Sequence, residues 1–284
     1  MTYADDTQLY MLLHPSERNF AIPRLELCLR DIKAWTIRNR LVLNDSKTEV
    51  VHISSKFVKT PSFPKLTIDT SEIEVSRVAR NLGVIFNSSM DMKDHVKSVV
   101  RAASFAIYRI GKLRRYLDKS SVERLVHAFV SSRLDSCNAV LYGLQENEIA
   151  KLQRVQNTAA RLVTKCRKDE HMKPVLRALH WLPVQQRIVY KIALLTYKAL
   201  HGLAPRYISD LIEEYKPQRT LRSASQALLC TRSPKKCKTK FYGRKIICRS
   251  CTKGMEQVAF QASFSIKHKL FQKGLKTHLF NVSC

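Results

Sequence analysis

Two carboxylates, Asp5 and Asp6, stand side by side behind an aromatic in the run Tyr3-Ala4-Asp5-Asp6. Adjacent aspartates on a tight turn present hard oxygen ligands to one small volume. That arrangement suits a divalent cation of the kind that assists phosphoryl transfer. Taken alone the pair is also ordinary turn chemistry, because aspartate hydrogen-bonds its own backbone in turns. A second set of reactive side chains lies far down the chain. Cys230, Cys237, Cys248 and Cys251 invite a zinc reading, and Cys248-Arg249-Ser250-Cys251 has ligand spacing. A third set is cationic: Lys93, Lys97, Arg101, Lys112, Arg114 and Arg115 recur along one stretch and could contact phosphates. The alternative for such a run is a solvated helix face.

These groups need elements to hold them. Thr7 to Leu13 is a short apolar run that pairs back across the aspartates as a hairpin. Leu25, Cys28, Leu29, Ile32 and Trp35 fall at helical spacing over residues 24–38, with Arg30, Asp31 and Arg38 outward. Leu41-Val42-Leu43 and Val50-Val51-His52-Ile53 read as strands flanking a loop that carries Lys47. Leu66-Thr67-Ile68 and Glu72–Val75 form a hairpin, and Leu82-Gly83-Val84-Ile85-Phe86 is a further strand. Beyond it the period becomes helical. Met92, Val96, Val99, Val100, Ala103, Ile107 and Ile110 trace one face of a long helix. Further helices are expected over 121–134 (apolar at Leu125, Phe129 and Leu134), 147–163, 174–179, 184–201 and 205–215, with a terminal one over 271–280. Between 246 and 266 no period is convincing. The architecture expected is α+β: strands with one helix over 1–87, helices over 88–216, and a basic, poorly ordered tail over 217–284.

The chain has 284 residues, 45% of them apolar, so a core can be buried. Its 50 Lys and Arg outnumber 23 Asp and Glu, for a net charge of +27, and that surplus points to a polyanionic partner, nucleic acid first. No run of about 18 apolar residues predicts a membrane span. The N-terminus has no basic stretch followed by an apolar one, so no signal peptide is read there. Intracellular residence, nuclear or cytoplasmic, with eight reduced cysteines, follows as the expectation.

Several blocks, in order, resemble the reverse transcriptase of LINE-type (non-LTR) retrotransposons from its catalytic turn onward. Tyr3-Ala4-Asp5-Asp6-Thr7-Gln8-Leu9-Tyr10 resembles the polymerase turn, Leu43-Asn44-x-x-Lys47-Thr48-Glu49 the next palm block, and Arg80-Asn81-Leu82-Gly83-Val84 the primer-grip hairpin. Ser131-Ser132-Arg133-Leu134-Asp135-x-Cys137-Asn138, Leu152-Gln153-x-Val155-Gln156-Asn157-x-Ala159-Ala160-Arg161 and Leu179-His180-Trp181-Leu182-Pro183-Val184 resemble the helical region after the palm. The likeness covers most of 1–229 and again about 264–281. It implies a partial palm over 1–87 and a helical thumb beyond it, acting on an RNA template and a DNA primer. It implies that Asp5 and Asp6 hold Mg²⁺, that Tyr3 and Lys47 lie near the nucleotide, and that Leu82 and Gly83 bear on the primer. The helix of 91–115 would then lie along the duplex. Asn87 departs from the pattern, which often carries Asp there. The family's fingers and a further palm aspartate precede its catalytic turn, so the chain is expected to be inactive alone. The alternatives are a basic nucleic-acid-binding remnant without catalysis, or a product of a decayed element with no selected function.

The same resemblance removes the zinc reading. Related elements carry a stretch like Ala-Pro-x-x-Trp-Asn-x-Leu-Pro before a final Leu-Lys-Thr-His block. Here Cys251-Thr-Lys-Gly-Met-Glu-Gln-Val-Ala-Phe260 stands in that place. Read one nucleotide later, these codons permit Ala-Pro-Lys-Glu-Trp-Asn-Lys-Leu-Pro, with Met255-Glu256 requiring Trp. A frameshift around 246–266, restored where Leu275-Lys276-Thr277-His278 resumes the pattern, makes the Cys248/Cys251 pair an accident of translation. No zinc is expected.

Overall fold

The computed structural model describes residues 2–3, 6–11, 18–54, 65–68, 71–212 and 268–283. The Lys-rich loop, Cys230, Cys237, Cys248, Cys251 and the region 246–266 therefore lie outside the described residues, as does Asp5. The described chain is rich in helix with a few short antiparallel hairpins, an α+β composition. It divides into two compact units, 1–91 and 92–284.

Among the described residues the first unit holds three two-stranded hairpins and one α-helix. Strands β1 (Thr2–Tyr3) and β2 (Asp6–Thr7) pair in the register Thr2↔Thr7 and Tyr3↔Asp6. Helix α1 runs from Arg18 to Arg38. Its half-buried stripe is Ile22, Leu25, Leu29, Ile32 and Thr36, while Cys28 and Trp35, expected inward, are exposed. Glu26 on this helix accepts from the amide of Thr67 at 2.9 Å and from its hydroxyl at 2.8 Å. Those bonds hold the Glu26 carboxyl below its ordinary value, the amide most of all. They tie α1 to the hairpin of β3 (Leu66–Ile68) and β4 (Ser71–Ile73), whose Leu66 and Ile73 are buried. A third hairpin joins β5 (Val78–Asn81) to β6 (Val84–Asn87).

The two strands expected at 41–43 and 50–53 do not form. Val42 is almost wholly exposed at 94%, and only Val50 makes a ladder contact, an isolated parallel bridge to Val75. A short apolar run becomes a strand only where a neighbour supplies its hydrogen bonds, and the loop between these runs is closed by its own side chains instead. Asn44 Oδ1 accepts from the Ser46 hydroxyl at 2.6 Å and from the Lys47 amide at 3.2 Å, and a 3-10 turn covers Asp45–Lys47.

In the second unit the described residues are mostly helical. Helix α2 (Lys93–Leu113) buries Val96, Ala103, Ile107 and Ile110, as its period predicts, and ends in a 3-10 turn, Arg114–Tyr116. Helix α3 (Lys119–Val126) continues through a wide π turn (His127–Ser131) into α4 (Ser132–Asp135). Its buried row is Val122, Val126, Val130 and Leu134. Phe129, expected on that face, is 51% exposed. The wider turn absorbs the drift that a four-residue spacing would accumulate in a regular helix, so Val130 stays beneath Val126. Helix α5 (Glu146–Thr164) packs on α2 and buries Leu152, Val155, Ala159, Ala160 and Val163. Helices α6 (Met172–Ala178), α7 (Val184–Leu200) and α8 (Arg206–Ser209) follow.

The last helix, α9 (His268–Ser283), lies on α7. Phe271, Leu275 and Leu279 bury their side chains against Leu182, Ala193 and Tyr197. The Tyr197 ring is stacked on both Phe271 and His201, with centroids 4.0 Å apart in each case. Among the described residues no helix is long and apolar enough to cross a membrane.

Candidate functional site

In the first unit three separate sequence blocks come together at the β5–β6 hairpin. Its register, Asn81↔Val84, leaves Leu82 and Gly83 as a two-residue turn rather than as the start of a strand. Both have positive φ, 45° and 82°, which is the turn that matches the twist of a hairpin. Gly83 meets no atom within 4 Å where a Cβ would stand, so the position asks for glycine through backbone conformation and not through crowding. Leu82 pays the conformational cost and is half exposed at the tip.

Asn81 Oδ1, at the base of that turn, accepts from Gln8 Nε2 at 2.6 Å. The Arg80 amide donates to Glu49 Oε2 at 3.4 Å, a long bond. Thus Gln8 from the Asp-Asp block, Glu49 from the Lys47 block and Arg80-Asn81 from the hairpin block share one neighbourhood. Lys47 sits in the 3-10 turn two residues before Glu49 and is exposed. Asn87 is buried, and its side chain is fully engaged. Its Nδ2 donates to Asp91 Oδ1 at 2.7 Å, and its Oδ1 accepts from the Asp91 amide at 3.1 Å. A carboxylate at 87 has no proton to donate and would face Asp91 with like charge.

Asp6 is exposed at the start of β2, and Tyr3 stands opposite it in β1. An Mg²⁺ ion is commonly held by one or two carboxylates together with water and substrate phosphates. Asp6 meets the demand for an exposed hard ligand. Among the described residues no cluster of three or more His, Cys, Asp or Glu could hold a metal ion. The described residues do not by themselves make a cage for the metal.

The cations of the second unit separate into two kinds. Lys93, Lys97, Arg101 and Lys112 are exposed along α2, and Arg115 is exposed just after it. The one acidic residue of α2 is Asp94, half-buried in its first turn. Arg114 differs. Its Nε donates to the carbonyl of Leu162 at 2.9 Å, Nη2 to that of Val163 at 3.2 Å and Nη1 to that of Leu117 at 2.9 Å. Leu162 and Val163 belong to the last turn of α5, whose carbonyls have no partner within the helix. Arg114 therefore caps α5, with three of its five N–H donors given to backbone carbonyls. It contributes to the wall of an open concavity of about 610 Å³ shared with Gly111, Lys112, Arg115 and Lys165. Positive charge there also complements the negative ends of α2 and α5.

The three helical blocks of the sequence also meet, but in a packed polar joint. Leu182 O, in the loop before α7, accepts from Gln156 Nε2 and from Arg187 Nε, both at 2.8 Å. Gln153 Oε1 accepts from the Val184 amide at 2.9 Å and so caps α7. Arg187 Nη1 reaches Asp135 Oδ2 at 2.8 Å. Trp181 is 3% exposed and lies edge-on to His127, with ring centroids 5.2 Å apart. These residues hold helices together.

Three residues at the surface went unread in the sequence. Phe105, Tyr108 and Tyr116 are 61%, 60% and 72% exposed, each beside a cation. Their signal in the sequence is aromatics interleaved with or next to Arg101, Arg109, Lys112 and Arg115.

No family model, no curated protein and no solved structure matches this chain.

Proposed function

We propose that this chain corresponds to the part of a non-LTR retrotransposon reverse transcriptase that runs from catalytic turn to thumb, and that it engages an RNA template and a DNA primer. The observation that carries the reading is the meeting of Gln8, Glu49 and Arg80-Asn81. Three blocks recognised separately along the sequence are brought to one hairpin, with the Leu82-Gly83 turn at its tip. The exposed cations of α2 supply the backbone contacts, and the net charge of +27 supplies long-range attraction. In this reading the protein is intracellular, with nucleic acid as its partner.

A second reading, nucleic-acid binding without catalysis, rests on the exposed cations of α2 and the net charge of +27, which act without a metal. Extension of a DNA primer on an RNA template in Mg²⁺, measured for the full chain and its Asp5→Ala variant, separates the two. Incorporation that Asp5→Ala abolishes supports the polymerase. Salt-dependent binding with no incorporation supports the binding reading. Absence of salt-dependent binding to any template–primer refutes both. If Lys97, Arg101, Lys112 and Arg115 each neutralise a phosphate, replacing any one by Ala lowers the slope of log affinity against log salt by about 0.9.

A further inference from the structure

We infer that the exposed face of α2 and its following turn binds single-stranded nucleic acid by stacking unpaired bases on Phe105, Tyr108 and Tyr116. The inference rests on the nucleic-acid reading above and specifies which nucleic acid this face takes.

Single exposed aromatics are common on protein surfaces. Here three lie on one basic surface, and each has a cation over or beside its ring. Arg109 lies 5.9 Å from the centroid of Phe105, Lys112 4.7 Å from that of Tyr108, and Arg115 4.8 Å from that of Tyr116. The first two pairs are four residues apart on the helix, the spacing at which side chains meet. Cation–π contact steadies both partners while leaving the rings open to solvent. Each pair thus offers a flat surface for a base and a positive charge for the phosphate next to it.

That combination distinguishes single strands from duplex. A positively charged track carrying aromatic platforms is how proteins hold unpaired nucleic acid, because every base has a π face. In a duplex those faces are stacked on one another, and a side chain reaches them only by unstacking a step. On a duplex the three rings add little to the lysines and arginines. The track from Lys93 to Lys112 extends about 28 Å at the helical rise, the length of roughly eight stacked nucleotides. Lys97, Arg101, Arg109, Lys112 and Arg115 lie along it or at its end, and the one acidic residue of α2, the half-buried Asp94, stands in its first turn, away from the three rings.

The test uses the full chain with fluorescently labelled oligonucleotides of roughly 12 nucleotides, within the usual footprint of such sites. Four probes are compared: single-stranded DNA, single-stranded RNA of the same sequence, the same DNA backbone with abasic positions, and the duplex. The expected result is that single strands bind about fivefold or more tighter than the abasic backbone. Tyr108→Ala and Phe105→Ala remove that difference and leave the salt slope unchanged, whereas Tyr108→Trp retains it. Circular dichroism of each variant checks that α2 is intact. The DNA and RNA arms then show which single strand is preferred. Equal binding of intact and abasic strands overturns the inference, as does tighter binding of duplex that Tyr108→Ala leaves unaltered. In both outcomes the nucleic-acid reading itself survives, because salt-dependent binding remains. If no probe binds in a salt-dependent way, that underlying reading fails and this inference falls with it.

Discussion

Arg114 and Arg115 are neighbours of identical chemistry, and the structure assigns them opposite consequences. Arg114 makes three hydrogen bonds to backbone carbonyls, two of them on the otherwise unpartnered end of α5. Arg115 has no such bond to the end of α5 and is exposed beside Tyr116. A hydrogen bond to a charged donor contributes about 1.5–3 kcal/mol when sheltered, and a neutral one about 1 kcal/mol. Arg114 is only partly buried and water can replace some of what it provides, so the lower values apply. Arg114→Ala is expected to cost about 2–3 kcal/mol, most of it in the docking of the α2 end on α5. For a helical unit of this size that is a fall in Tm of roughly 5–10 °C. Arg115→Ala is expected to leave Tm within about 1 °C, since exposed substitutions away from such features change little. The assay is thermal and urea unfolding followed by circular dichroism, alongside nucleic-acid affinity at two salt concentrations. Arg115→Ala should weaken binding and flatten its salt dependence at unchanged stability. Arg114→Ala should lower stability and, well below its own Tm, leave the salt slope as it was. If Arg114→Ala melts with the wild type and instead loses a unit of salt slope, the capping argument is wrong.

Other consequences are as direct. Leu275→Ala removes a fully buried side chain between α9 and α7 and should cost about 3 kcal/mol, read by urea denaturation; an unchanged midpoint would mean α9 is not docked there. Gly83→Ala meets no steric obstacle, so only the positive φ is penalised, about 1 kcal/mol, visible as faster amide exchange in β5 and β6 without loss of helix. Asp118 caps α3 by accepting from the amides of Ser120 and Ser121 at 3.0 and 3.3 Å. Hydrogen bonding to Ser121, foremost, lowers its carboxyl below the ordinary value, so the cap's contribution is complete above about pH 5 and is lost as pH falls through the lowered folded-state value. Asp118→Asn keeps a capping oxygen and should remove that part of the acid sensitivity from a pH series of melting curves. Asn87→Asp sets two carboxylates together at the Asp91 site and should destabilise the first unit at pH 7 with partial recovery at pH 4, a trend that circular dichroism would show absent if the amide proton were unimportant.

Most helices were legible in this sequence to within a few residues, but α1 begins at Arg18, well before the stretch expected, and the helix expected over 205–215 covers only Arg206–Ser209 among the described residues. Their apolar spacing is local, so α2, α5, α7 and the Phe271, Leu275, Leu279 face of α9 could be read directly. The failures have a common cause. Leu41–Leu43 and Val50–Ile53 looked like strands because a strand is defined by its partner, and the sequence does not name one. Phe129 looked like core because a π turn changes the period within an otherwise regular helix. Trp35 looked like core because a stripe of apolar spacing leaves the facing direction open by a residue or so. At the candidate site, blocks were legible as residues in order, but not which member would do what. Arg114 and Arg115 are indistinguishable by type, spacing and charge.

What the sequence alone determined was the positive charge, the α+β order of elements and the helical stripes, because charge and period are properties of neighbours along the chain. Tertiary structure decided which polar groups are occupied. Gln8 reaches Asn81 across 73 residues, Gln156 reaches Leu182 across 26, and Arg114 reaches Leu162 across 48. A donor is free to bind a ligand only when no carbonyl has taken it. Carbonyls become available where helices end against other elements, and that is fixed by packing between distant segments. The same packing left Phe105, Tyr108 and Tyr116 uncovered beside their cations.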